Sequence, residues 1–279
     1  MTTIKRVQTS LEINTTLELQ SISHESNSDE GIQHAIAFLY PNGLPTAQQY
    51  ENNQELPSKS ILCLYNDDVD TWNTRLQEMN NEQSHVLTSK DIFADVDDEH
   101  GYLKTMLTTA VRRDFTNTDV PNYKLTLKVN DICLVTRNLN SLRLPSNSRV
   151  RIIRINQYSI IVKTMDTEKR TVVIPRIKFK FRLKYASSFS LIRVQFPLRL
   201  AYAITVHRSQ SQSIDFVVLD LTKPAFGHGQ LYTAFSRLRQ ADRLMVIVDP
   251  TTQPPEIGED KFHINNIIYP QLILQPEEE

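Results

Sequence analysis

Two stretches in the last third of the chain hold side chains suited to handling phosphate. In the first, an apolar run at 200–205 leads into Thr205, Val206, His207, Arg208, Ser209, Gln210, Ser211 and Gln212. Small or polar groups at the end of a strand, here Thr205, His207, Ser209 and Gln210, bind backbone phosphates without reading bases. The second stretch is helical, at 229–238, and carries Arg237. Phosphoryl transfer needs a cation facing the developing charge, and a guanidinium supplies one. Taken alone, Arg237 reads as a surface helix arginine and His207 as a structural histidine. A third group comprises Arg137, Arg176 and the alternating Lys178-Phe179-Lys180-Phe181-Arg182. Interleaved cations and aromatic rings suit a groove that tracks a nucleic-acid strand and stacks its bases. The bland alternative is a β edge guarded by lysines.

Charge favours a polyanion. The chain has a net charge of −1, yet residues 124–208 carry eighteen basic and three acidic side chains, leaving thirteen basic and twenty-nine acidic elsewhere. Such a bipolar distribution is an electrostatic footprint for nucleic acid, against the alternative of a solvated basic surface. The two cysteines, Cys63 and Cys133, each sit in an apolar run. They read as buried, reduced thiols, which suits a reducing compartment. No Cys/His spacing resembles a zinc site, and the acidic stretch 91–100 reads as an exposed, solvated loop. The N-terminus has no apolar h-region, and no apolar run approaches the ~20 residues of a membrane span, so no membrane partner is expected.

Two kinds of architecture must position these groups. An apolar run at 60–65, the polar turn Asn66-Asp67-Asp68, and a helical face of Val69, Trp72, Leu76 and Met79 make half of a parallel α/β unit, with Asn66 or Asp67 as the cap. From Lys124 the pattern turns to short Val- and Ile-rich strands at 124–129, 132–135, 149–155, 159–164 and 171–174, separated by turn signals. This predicts a small barrel or sandwich whose basic side chains alternate outward. Strands at 216–221 and 243–248 restore the α/β character. Four regions are thus expected: an irregular segment at 1–57 with one short helix at 31–39; a discontinuous α/β domain at 58–123 and 191–250; a β insert at 124–190; and a tail at 251–279.

Five segments, in order and spacing, resemble a known family. Residues 195–215, QFPLRLAYAITVHRSQSQSID, and 226–239, FGHGQLYTAFSRLR, resemble helicase motifs V and VI of the Helitron and petite-integration-frequency (Pif-type) superfamily 1B DNA helicases. Residues 124–138 (KLTLKVNDICLVTRN), the VVIPR strand at 172–176 and the strand–Asn–helix at 61–73 (motif IV) are similar to further segments of that family. The resemblance implies a second RecA-like lobe, P-loop NTPase-like in fold but lacking the P-loop, interrupted by an inserted SH3-like barrel. It implies that Arg237 is an arginine finger, that Gln212 and Ser211 lie near the nucleotide, and that Asn66, Arg137, Arg176, Thr205, His207, Arg208, Ser209 and Gln210 meet single-stranded DNA. ATP and magnesium are implied only beside a lobe-one chain or a missing N-terminal half. Polarity by resemblance is 5′–3′, and the compartment is the nucleus, with the cytoplasm open.

Departures from the family pattern are specific. None of the six glycines begins the GxxxxGK[ST] pattern, and no lobe-one acidic motif is visible. The chain alone is therefore expected not to hydrolyse ATP. Ser211 stands where the family has glycine, and its Cβ hinders close approach to phosphate. Asn147 replaces a second glycine more mildly, because Asn tolerates positive φ, and Arg208 replaces a lysine. These departures suit relaxed constraint, as in a decayed transposon fragment, or a truncated gene model. Three functions compete: a fragment of an ATP-dependent helicase, a nucleic-acid-binding remnant without motor activity, and an α/β protein whose motifs are idle.

Overall fold

A computed structural model describes residues 16–18, 23–52, 58–93, 120–183, 186–210, 212, 214–237, 241–251 and 263–265. Two compact units result, Met1–Arg75 with Tyr202–Glu279, and Leu76–Ala201.

The first unit is built on a parallel sheet. Strands β2 (Ser23–Ser26), β3 (Lys59–Cys63), β14 (Ala203–Thr205), β15 (Phe216–Asp220) and β16 (Leu244–Val248) lie in the order β14-β3-β15-β16-β2, and every neighbouring pair is parallel. Parallel strands need crossover connections and bury both faces, which is why their sequences read as continuous apolar runs. Every residue of β3 and of β16 is buried. Helices α1 (Asp29–Leu39), α2 (Ala47–Asn52), α3 (Asn66–Glu78) and α4 (Gln230–Phe235) accompany the sheet. The Ser28 side chain caps α1 by accepting from the Gly31 N–H. A short antiparallel pair joins β1 (Thr16–Glu18) to β17 (His263–Asn265).

The second unit is antiparallel. Strands β7 (Ile132–Val135), β8 (Arg149–Ile155), β9 (Ser159–Thr164) and β10 (Thr171–Pro175) form a meander, with β13 (Leu198–Leu200) added beside β7. Pro175 is tolerated because β10 is an edge strand. A three-stranded sheet orders β11 (Ile177–Leu183), β12 (Ala186–Gln195) and β5 (Lys90–Phe93), and β4 (Ser84–Thr88) pairs with β6 (Lys124–Lys128). Leu127, Cys133, Val150, Ile152, Ile160, Val162, Ile174 and Phe196 anchor one continuous core.

The observed boundaries differ from those expected from periodicity. The second unit begins at Leu76 and ends at Ala201, so β4, β5 and the end of β12 belong with the β insert. SHVLT and KDIF lack the Val/Ile density that marks the other strands, so nothing local distinguished them. Residues 23–52 are not irregular: β2 completes the parallel sheet through backbone bonds that its polar SHES sequence does not advertise. Asn66 and Asp67 lie within the first turn of α3, with Tyr65 O accepting from Val69 N–H at 3.2 Å. Val69, Trp72 and Leu76 are buried as the helical face requires, while Met79 is exposed.

Asp91 is a clear correction. It was expected in a solvated loop, yet it lies in β5 and its carboxylate is wholly enclosed, paired with Arg193. The remainder of that acidic stretch, 94–100, lies outside the described residues. The stacking platforms expected on β11 are also corrected. Phe179 and Phe181 point inward and are buried, whereas Lys178, Lys180 and Arg182 alternate on the exposed face. A period of two puts rings and cations on opposite sides of one strand. Cys63 and Cys133 are buried free thiols, and Asn147 adopts φ 66° at the turn before β8.

Candidate functional site

The carboxyl ends of β3, β14 and β15 form one edge of the parallel sheet, where ligands of open α/β folds bind. At that edge β14 gives way to a single 3-10 turn, Val206–Ser209, entered from extended backbone at Thr205. The turn is fixed from within: Ser209 is fully buried and its Oγ donates to Val206 O at 2.6 Å. His207 and Gln210 face solvent, and Arg208 is half-buried. Gln212 continues the turn, its N–H donating to Ser209 O at 2.9 Å. Ser211 lies outside the described residues.

A residue that sequence reasoning missed holds this strand in place. Asn73, on α3, donates from Nδ2 to Ala203 O at 3.0 Å and accepts from Ala203 N–H at 3.0 Å. Because β14 is an edge strand, the carboxamide occupies the backbone groups that a sixth strand would have used. Asn73 is itself buried. A polar residue on the apolar face of a predicted amphipathic helix was the available signal.

Arg237 lies just beyond α4, which begins after Gly229 at φ 65°. Its guanidinium reaches the polar turn. Nη1 donates to Gln210 O at 2.6 Å, Nε to Thr233 O at 3.3 Å, and Nη2 to Ser236 Oγ at 3.0 Å. Arg237 and the 205–210 turn are therefore one cluster. Gln230 is buried and its Oε1 accepts from Phe226 N–H, so it shapes the loop before the helix. Asn66 is exposed at the carboxyl end of β3, on the same sheet edge.

Acidic groups at this edge are also organised. Asp220, at the end of β15, accepts from Trp72 Nε1 at 2.7 Å and from the Thr222 N–H and hydroxyl. Asp68 pairs with the Lys223 ammonium, a bond that raises the lysine pKa. Burial first, and then Asp220 and Asp68, push the Cys63 thiol well above its ordinary range, so it stays protonated. Among the described residues no group of three or more His, Cys, Asp or Glu could hold a metal ion. The donor set fits one edge of a phosphate, but the described residues offer neither a phosphate cradle nor a carboxylate cluster for magnesium.

Arg137 and Arg176 belong to the other unit. Arg137 is exposed, donates to Lys178 O at 3.3 Å and lies 4.8 Å from the centre of the Phe179 ring. Arg176 binds Thr88 O at 2.7 Å and Gln195 Oε1 at 3.2 Å, and sits over the Phe196 ring at 4.6 Å. Burial lowers its pKa. Arg176 thus ties strands together as its first role.

The crystal structure of Pif1 helicase from Candida albicans superposes with a TM-score of 0.51 at 22% identity, covering 78% of this chain and 54% of that one. The fold is that of a RecA-like helicase domain of mixed α and β content.

Sequence relatives narrow the class. The ATP-dependent DNA helicase PIF1 of Xenopus laevis is 28% identical over 191 residues, which is 67% of this chain and 27% of that protein. The ATP-dependent DNA helicase Pif1 of Campylobacter jejuni is 48% identical over 52 residues, 19% of this chain and 11% of that one. No family model matches the chain. This chain is similar to Pif1 helicases and spans about a quarter of the length of the Xenopus laevis protein.

Proposed function

We propose that the chain is the second half of an ATP-dependent DNA helicase motor. In this reading it supplies single-strand DNA contacts and an arginine finger, while the P-loop and magnesium site belong to a lobe-one chain or segment. The bond from Arg237 Nη1 to Gln210 O carries the proposal. It couples the arginine that would face the γ-phosphate to the turn that would grip the strand. His207, Arg208, Gln210 and Asn66 then line the strand side, with the buried Thr205 and Ser209 bracing the turn behind them, and Gln212 lies toward the nucleotide. The antiparallel meander of the second unit serves as the inserted SH3-like barrel. Movement along the strand is 5′–3′, and the protein works in the nucleus.

A second reading, a DNA-binding remnant of a Helitron transposon helicase with no motor activity, draws support from the outward row Lys178, Lys180 and Arg182, which needs no ATP to bind phosphate. Single-strand binding measured across a salt series tests what both share. Log affinity falls steeply with log salt if cations displace counterions from the strand. No binding at low salt rejects both. ATP hydrolysis that arises only on mixing with a lobe-one chain selects the first.

A further inference from the structure

The same carboxyl edge carries an aromatic pair that the phosphate-handling residues do not use. Tyr65 follows β3 and Phe226 lies in the loop between β15 and α4. Their ring centroids are 4.9 Å apart with the planes at 46°. Phe226 is 51% exposed, whereas most of the unit's large apolar side chains are buried. The pair is held from behind. The Tyr65 hydroxyl donates to Pro224 O at 3.0 Å, and the Phe226 N–H donates to the buried Gln230 carboxamide at 3.2 Å. The Lys223 ammonium stands 5.4 Å from the centre of the Tyr65 ring, with 48% of its side chain open to solvent.

We propose that Tyr65 and Phe226 form a stacking platform for one unpaired nucleobase, with Lys223 placed to meet an adjoining phosphate. An aromatic face fixed in position takes a planar ring at little conformational cost, and every base offers such a face whatever its sequence. The cation beside the ring makes the site selective for a base that carries phosphate over an uncharged aromatic. Asp68 would yield its partner to that phosphate. The proposal rests on the helicase reading, since it takes a strand or nucleotide as drawn to this edge.

The test uses the full chain with three probes: a single-stranded oligodeoxynucleotide containing 2-aminopurine, an abasic strand of equal length, and ADP. The wild-type chain should quench the 2-aminopurine and bind the base-containing strand about 10-fold more tightly than the abasic one. Phe226→Ala should abolish that difference without altering abasic-strand binding, and Phe226→Trp should retain it. If the base comes instead from a free nucleotide, Phe226→Ala weakens ADP by a similar factor and leaves both strands unchanged. Phe226→Ala that binds both strands and ADP as the wild type does overturns the platform alone. A wild-type chain that binds none of the three overturns the platform and the helicase reading together.

Discussion

In the parallel unit, Arg237 stays half-exposed and rests its guanidinium on the backbone oxygens of Gln210 in the surface turn and Thr233 in α4. In the antiparallel unit, Arg193 is wholly enclosed, with Nε and Nη2 on the two oxygens of Asp91, Nη1 on Pro121 O, and its guanidinium 5.5 Å from the Phe181 ring centre. The same side chain serves as a replaceable surface contact in one unit and as a structural strut in the other. A count of cations therefore overstates the outward-facing basic surface. Arg151, Arg176 and Arg193 contribute to the positive total at 124–208, yet each is tied to groups within its own unit. Lys178, Lys180 and Arg182 face outward, as do Lys124, Arg137, Arg143 and Arg154.

The contrast breaks most visibly at Arg193. Arg193→Ala should destabilise the second unit by about 3–5 kcal/mol, because a buried carboxylate is left uncompensated. Urea unfolding would register this, and a loss below about 1 kcal/mol would mean Asp91 finds water or another partner. Replacing both partners with apolar residues, Asp91→Leu with Arg193→Met, should recover most of the loss. In the parallel unit the strut is neutral, so the effect should be smaller. Asn73→Ala removes two bonds to the edge strand and should cost about 1–3 kcal/mol, with faster amide exchange at Ala203 as the local readout. Asn147→Ala should cost about 1 kcal/mol by forcing a β-carbon-bearing residue without a helpful amide into positive φ, while Asn147→Gly should match the wild type. Smallest in stability is the triple change Lys178→Gln, Lys180→Gln and Arg182→Gln, expected within about 0.5 kcal/mol. Its signature is instead a salt slope for single-strand binding that is shallower by about 0.7 for each lost phosphate contact.

The parts of the molecule that announce themselves in sequence share one physical property. Strands β3, β15 and β16 are buried on both faces, so their apolar runs had no other explanation. Strands β8 and β9 were found to the residue because Val and Ile cluster between clear turns. Strand β2 and the pair β4 and β5 were missed because each is held by backbone pairing with a partner distant in sequence. The Asp91–Arg193 pair spans the same kind of gap, and an acidic run beside it looked like a solvated loop. Motif order singled out Arg237 and the 205–210 turn, which the bond from Arg237 to Gln210 O joins. It could not find Asn73 or the Tyr65–Phe226 pair, whose roles depend on which elements the sheet brings together.

In the proposed motor, Arg237 completes a nucleotide site held mainly by another polypeptide. Mixing the full chain with an isolated P-loop lobe from a Pif1-type helicase and measuring ATP hydrolysis tests it directly. Hydrolysis should appear only in the mixture and fall by about 10³-fold or more with Arg237→Ala. A mixture that hydrolyses ATP equally well with Arg237→Ala would rule out the arginine-finger role.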